Sequence, residues 1–71
     1  MLKDAKIIYM VMCVEKFADA NGIGSRDAFN YLYKYKGLEF LDECYEAEHQ
    51  LSFDDASADI ADICRKNRGD L

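Results

Sequence analysis

A chain of 71 residues, 51% of them hydrophobic, can build one small core; it is too short for two domains and too apolar for a disordered segment. A domain of this size buries only about 60% of the surface its unfolded chain exposes, which leaves little room for a deep catalytic pocket beside the core. The formal net charge of −5 opposes general attraction to nucleic acid.

The first predicted element runs from about Lys3 to Ala20. Ile7, Val11, Val14 and Ala18 recur at helical spacing, with Met10 and Phe17 beside them, and this stripe is expected to face the core. Ile8 and Met12 fall off the stripe, among the charged residues, so either another helix covers them or they are open to a partner. Asn21-Gly22 supplies the stop, because both residues tolerate the left-handed conformation that ends helices. The apolar run Ile7 to Val14 is too short for a bilayer, which takes about 20 residues. Asp4 interrupts the basic start and Glu15-Lys16 stand where a cleavage site would follow, so no signal peptide and no membrane anchor are expected.

The second element is expected to begin at Ser25 as N-cap and to place Asp27 at the positive end of the helix dipole. Ala28, Phe29, Leu32 and one of Tyr33 or Tyr35 are expected inside, with Gly37 as the residue that ends the helix. The third element spans about Leu38 to His49, with Leu38, Leu41, Cys44, Tyr45 and Ala47 on its apolar face. Glu39, Asp42, Glu43, Glu46 and Glu48 crowd the rest of it with no cation four residues on. The fourth begins at Ser52, whose spacing to Asp55 has the form of a capping box. Phe53, Ala56, Ile60 and Ile63 form its inward stripe, Asp59 and Asp62 face out, and Gly69 follows Arg65, Lys66 and Arg68 as its stop. The fold class is therefore all-α, a compact bundle of about four short helices, with residues 1–71 as one domain.

Charge is distributed in blocks. Residues 39–62 carry nine acidic side chains and no Lys or Arg, while residues 1–38 and 63–71 are each mildly basic. A helix-turn-helix reading of elements two and three would press Glu39, Asp42, Glu43, Glu46 and Glu48 against phosphates, so nucleic acid is not the expected partner. The three cysteines, Cys13, Cys44 and Cys64, have neither disulfide-framework nor zinc spacing, and reduced thiols in a cytoplasmic protein are expected. His49 shares a helix face with Tyr45 and Glu46, an arrangement open to acid–base chemistry, but no nucleophile stands at a recognisable spacing; a helix-terminal His is the simpler reading. Half of a di-iron Glu-x-x-His pattern is present at Glu46 and His49 and the second half is missing. No metal, no cofactor and no catalysis are expected.

Five tyrosines stand at 9, 31, 33, 35 and 45, and the four rings of Phe29, Tyr31, Tyr33 and Tyr35 cannot all face inward on one helix, so at least one ring is expected on a contact surface. The expected partner-binding set is Ile8, Met12, Tyr33, Glu39, Asp42, Glu43, Glu46 and His49, facing a larger protein with a basic patch. Homodimerisation through Ile8, Met12 and the tyrosines is compatible with this set. The runner-up reading is a small nucleic-acid-binding regulator.

Several segments are familiar: Cys13-Val14-Glu15 in the opening helix, Ala28-Phe29-Asn30-Tyr31-Leu32, Lys36-Gly37-Leu38-Glu39-Phe40-Leu41, and Tyr45 through Asp55. Together they resemble an uncharacterised family of short bacterial proteins, over nearly the whole chain. Such proteins look like accessory genes that sit near larger partners, among them ADP-ribosyltransferase-like toxins. The resemblance implies an antitoxin-like or accessory subunit and carries over no catalytic residue.

Overall fold

The computed structural model describes residues 2–69. It contains α1 (Leu2–Asn21), α2 (Ser25–Lys34), α3 (Gly37–Glu43), α4 (Tyr45–Glu48) and α5 (Phe53–Lys66), and no strand among the described residues. Helix α1 packs against α2, α3 and α5, and α3 closes against α5. The core lies between them. Phe17, Leu32, Leu41 and Ile60 are its largest fully buried apolar residues, and Cys13 and Cys64 fill the space beside them. Each of those four side chains contributes roughly 1.5–3 kcal/mol by leaving water.

The helix ends follow local chemistry. Gly22 takes φ 64, and Ile23 N–H returns to the Ala18 carbonyl at 3.1 Å, which closes α1 where Asn21-Gly22 was expected to. The Ser52 hydroxyl accepts from Asp55 N–H at 3.1 Å and caps α5. Three end assignments are corrected. The N-cap of α2 is Gly24, which has no side chain to offer, and Ser25 is already helical. The left-handed residue after α2 is Lys36 (φ 74), and Gly37 instead opens α3. Its role there is close packing. A Cβ on Gly37 would sit 2.8 Å from Leu32 Cδ2 and 3.0 Å from Cys64 Sγ, so only glycine lets α3 approach α2 and α5 this closely. At the end of α5 the same exchange occurs: Arg68 takes φ 70 and Gly69 is buried under Tyr31 and Tyr35.

The predicted third element is two helices. Helical hydrogen bonding breaks at Cys44 (φ −107, ψ 21), which caps α3 and starts the single turn of α4. The turn is re-aimed so that Tyr45 and Glu48 face α1. Its acidic neighbours find cations on α1 rather than on their own helix: Lys6 pairs with Asp42, and Lys16 pairs with Asp54 on α5 at 3.0 Å. Both pairs are solvent-exposed, so they orient the helices more than they stabilise them.

Candidate interaction surface

Helix α1 is apolar on every side between Ile7 and Val14, apart from the hydroxyl of Tyr9. A helix of that kind is normally surrounded by protein. Here only part of it is. Cys13, Val14, Phe17 and Ala18 are buried, and Tyr9 and Met10 are half-buried. Ile7 and Val11, expected in the core stripe, are exposed instead, as are Ile8 (60%) and Met12. The reason is angular. The stripe that meets α2, α3 and α5 is centred on Cys13, Phe17 and Met10, a rotation of about 90° from the stripe expected through Ile7 and Val11. Val14 and Ala18 of the expected stripe are buried where it overlaps the observed one, and the three partner helices leave its Ile7 and Val11 uncovered.

The uncovered stripe borders a groove of about 450 Å³ between α1 and α2. Met10, Val14 and Leu38 form its floor and Ile7, Val11 and Phe29 its walls, with Glu15, Ser25 and Arg26 at the rim. Phe29, expected inside, is half exposed because Ala28 and Leu32 occupy the inward face of α2. Its ring lies parallel to Tyr33, one turn on, with centroids 6.3 Å apart. Tyr33 is the most exposed large apolar side chain of the described residues (73%). It also borders a second depression, shared with Lys34, Lys36, Glu39 and Asp42. Tyr33 therefore joins the apolar groove to the acidic side of the molecule.

The acidic side consists of exposed Glu39, Asp42, Glu43 and Glu46 on α3 and α4. Asp42, Glu43 and Glu46 border one shallow depression with Lys6 and Tyr45. The block is less uniform than the sequence suggests. Asp42 is paired with Lys6, Glu39 with Lys36, and Asp62 with Arg65 and Lys66. Glu43 and Glu46 have no ion-pair partner among the described residues. His49 ends α4. Its ring stacks on Tyr45 at 4.5 Å, and its Nδ1 donates to the Tyr45 carbonyl at 2.8 Å, which suits a helix-terminal role. The expected partner-binding residues thus fall into two neighbouring areas, Ile8 and Met12 on α1, and Glu39, Asp42, Glu43, Glu46 and His49 on α3–α4, with Tyr33 between the groove and the acids.

Glu48 is the exception to the acidic face. It is 94% buried by its 6% exposure, and its Oε1 has no hydrogen-bond partner. Burial pushes its carboxyl up to about 7, and Asp59 on α5 adds to this by hydrogen bonding and by charge repulsion. Tyr9 lies near it, with a buried hydroxyl set beside the Cys13 thiol. The Tyr9 ring is enclosed by Tyr45, His49 and Phe53, with centroids 5.5, 6.3 and 5.7 Å away. Burial raises the pKa of Tyr9 and of the Cys13 and Cys64 thiols, so all three stay protonated near neutral pH. The sequence carries a signal for Glu48: Leu41, Cys44, Tyr45 and Glu48 lie at helical spacing on one face. Among the described residues no group of three His, Cys, Asp or Glu side chains comes together to hold a metal ion. No helix of the described residues is long and apolar enough to cross a membrane.

Residues 8–67, from Ile8 on the open face of α1 to the end of α5, match the family described as Protein of unknown function (DUF3791). The chain belongs to this DUF3791 family. No curated protein and no solved structure matches it. The match takes in Ile8, Met12, Phe29 and Tyr33 as well as the core, so the open face, apart from Ile7, lies inside the family domain.

Proposed function

We propose that this DUF3791 chain acts by contact, as a small protein-interaction module in the bacterial cytoplasm and an accessory or antitoxin-like partner of a larger protein. The observation that carries the reading is the open apolar face of α1 and α2. Ile7, Ile8, Val11, Met12, Phe29 and Tyr33 are all exposed on a domain too small to spare apolar surface from its core. A face of this kind supplies the anchors of a protein interface, and the unpaired Glu43 and Glu46 add attraction for a basic patch. No catalytic step is part of this reading.

The nucleic-acid reading has less support. Helix α3 is only seven residues long and exposes Glu39, Asp42 and Glu43, which phosphates repel. The test is affinity purification of the tagged chain from its native host, run with three versions: wild type, Ile8→Asp with Met12→Asp, and Glu43→Lys with Glu46→Lys. A protein recovered in stoichiometric amount with wild type and lost with one of the substituted versions supports the reading. Recovery of nucleic acid that falls steeply with salt, or a recovered set that no substitution changes, contradicts it.

A further inference from the structure

The open face holds a ridge beside a groove. One residue of α-helix turns the direction of a side chain by about 100°. Ile8 and Met12 therefore project next to Ile7 and Val11, which wall the groove between α1 and α2. An isologous contact needs one patch that is complementary to itself, and an apolar ridge adjoining an apolar groove is such a patch. The order of residues allows it too. Apolar side chains occupy every position from Ile7 to Met12. An antiparallel pairing of two α1 helices about an axis near Met10 sets Ile7 and Ile8 of one copy against Val11 and Met12 of the other.

We infer that a second copy of this chain covers the face, in a two-fold dimer where the Ile8–Met12 ridge of each copy seats in the α1–α2 groove of the other. The inference rests on reading this face as a contact surface. Charge favours this occupant over a basic protein. The charged residues at the groove are Glu15 and Arg26, which cancel, and neither has an ion-pair partner among the described residues. The unpaired acids Glu43 and Glu46 line a different depression. Two copies with a net charge of −5 each can therefore meet here without pressing like charges together, whereas a basic partner would leave its charges unmatched in the groove. Area allows it as well. The exposed portions of Ile7, Ile8, Val11, Met12, Phe29 and Tyr33, roughly 100 Å² each, bring about 1,200 Å² from two copies together, the lower end of what stable interfaces bury. The acidic side stays free in such a dimer, available to a larger protein.

The experiment is sedimentation equilibrium of the full chain over a concentration series reaching about 0.5 mM. The expected mass rises toward twice the 8.2 kDa of one chain. Ile8→Asp with Met12→Asp should weaken association about 100-fold or more, and Phe29→Asp in the groove wall should weaken it about tenfold or more. Both versions should keep the wild-type helical circular dichroism, since all three side chains lie outside the core. Glu46→Gln, on the acidic side, should leave the mass unchanged. A wild-type chain that stays monomeric throughout overturns the inference, as does a dimer that neither set of substitutions weakens. A monomer whose capture of a larger protein is abolished by Ile8→Asp with Met12→Asp overturns the second copy as occupant while leaving the contact face intact. A monomer whose captured proteins are indifferent to those substitutions removes both.

Discussion

Phe29 and Tyr33 stand one turn apart on the outside of α2 with their rings parallel to within 3°, and both are open to solvent. The pair contributes little to the fold, because neither ring enters the core. Replacing either by Ala should change the stability of the isolated monomer by no more than about 0.5 kcal/mol. The same replacements should cost binding about 1–2 kcal/mol wherever the α1–α2 face is occupied. Chemical denaturation of the dilute chain and titration of the assembled one separate the two effects. A large stability loss with unchanged binding would mark the rings as structural.

Glu48 makes stability fall as pH rises. Its ordinary carboxyl pKa is raised to about 7 by burial and by Asp59, so between roughly pH 4.5 and 7 the folded chain holds a proton that the unfolded chain has released. The stabilisation is complete below the unfolded pKa and is lost as pH climbs through the folded one. Its size is on the order of 1–3 kcal/mol, which for a domain of this length is a fall of several degrees in Tm. Asp62 acts in the opposite sense, held below its usual range by Lys66, and its contribution is lost only at pH values under this window. Thermal unfolding from pH 5 to pH 8 should show Tm falling for wild type and nearly flat for Glu48→Gln, with the variant the more stable at pH 8. A wild-type Tm that rises across the window contradicts the assignment.

Gly37 and Gly24 should respond very unequally to the same substitution. Gly37→Ala puts a methyl group 2.8 Å from Leu32 Cδ2 and 3.0 Å from Cys64 Sγ, both on buried side chains, and should destabilise by about 1–3 kcal/mol through overpacking. Gly24→Ala meets nothing within 4 Å and keeps an ordinary φ of −74, so its cost should stay within about 1 kcal/mol. Differential scanning calorimetry of the two variants side by side is the measurement. Equal effects would contradict the close approach of α3 to α2 and α5.

Ser52→Ala removes the hydroxyl that accepts from Asp55 N–H. The expected loss is about 1 kcal/mol, with Ser52→Asp keeping most of the stability. Hydrogen exchange at the first turn of α5 should quicken in the alanine variant and not in the aspartate one. Unchanged exchange would show that the cap does not hold that turn.

The sequence made the helices legible through their ends: Asn21-Gly22 and Ser52 with Asp55 act where their chemistry places them. It misled where two readings of the pattern were equally good. Residues 7–14 of α1 offer an apolar stripe in more than one direction, and only the positions of α2, α3 and α5 decide that Cys13 and Phe17 go inside while Ile7 and Val11 stay out. Ile8 and Met12 were readable as surplus apolar residues, and so was an exposed ring between Phe29 and Tyr35, though Tyr33 and Tyr35 were equal candidates for the inward face. Phe29 was not, because Ala28 and Leu32 fill the inward face of α2 without it. Glu48 was hidden by its charge: its helical spacing to Leu41 and Tyr45 points inward, but a carboxylate in an acidic run is ordinarily a solvated one. The break at Cys44 that splits the third helix has no proline or glycine to announce it.

The most direct measurement is hydroxyl-radical footprinting of Met12 and its neighbours, comparing the dilute purified chain with the chain in extract of its native host. A contact face predicts that Ile8, Val11 and Met12 oxidise readily in the dilute chain and several-fold more slowly in the extract, while exposed Leu51, in the connection between α4 and α5, changes little. Equal oxidation of Met12 in the two states, under conditions where the chain is folded in both, would contradict it.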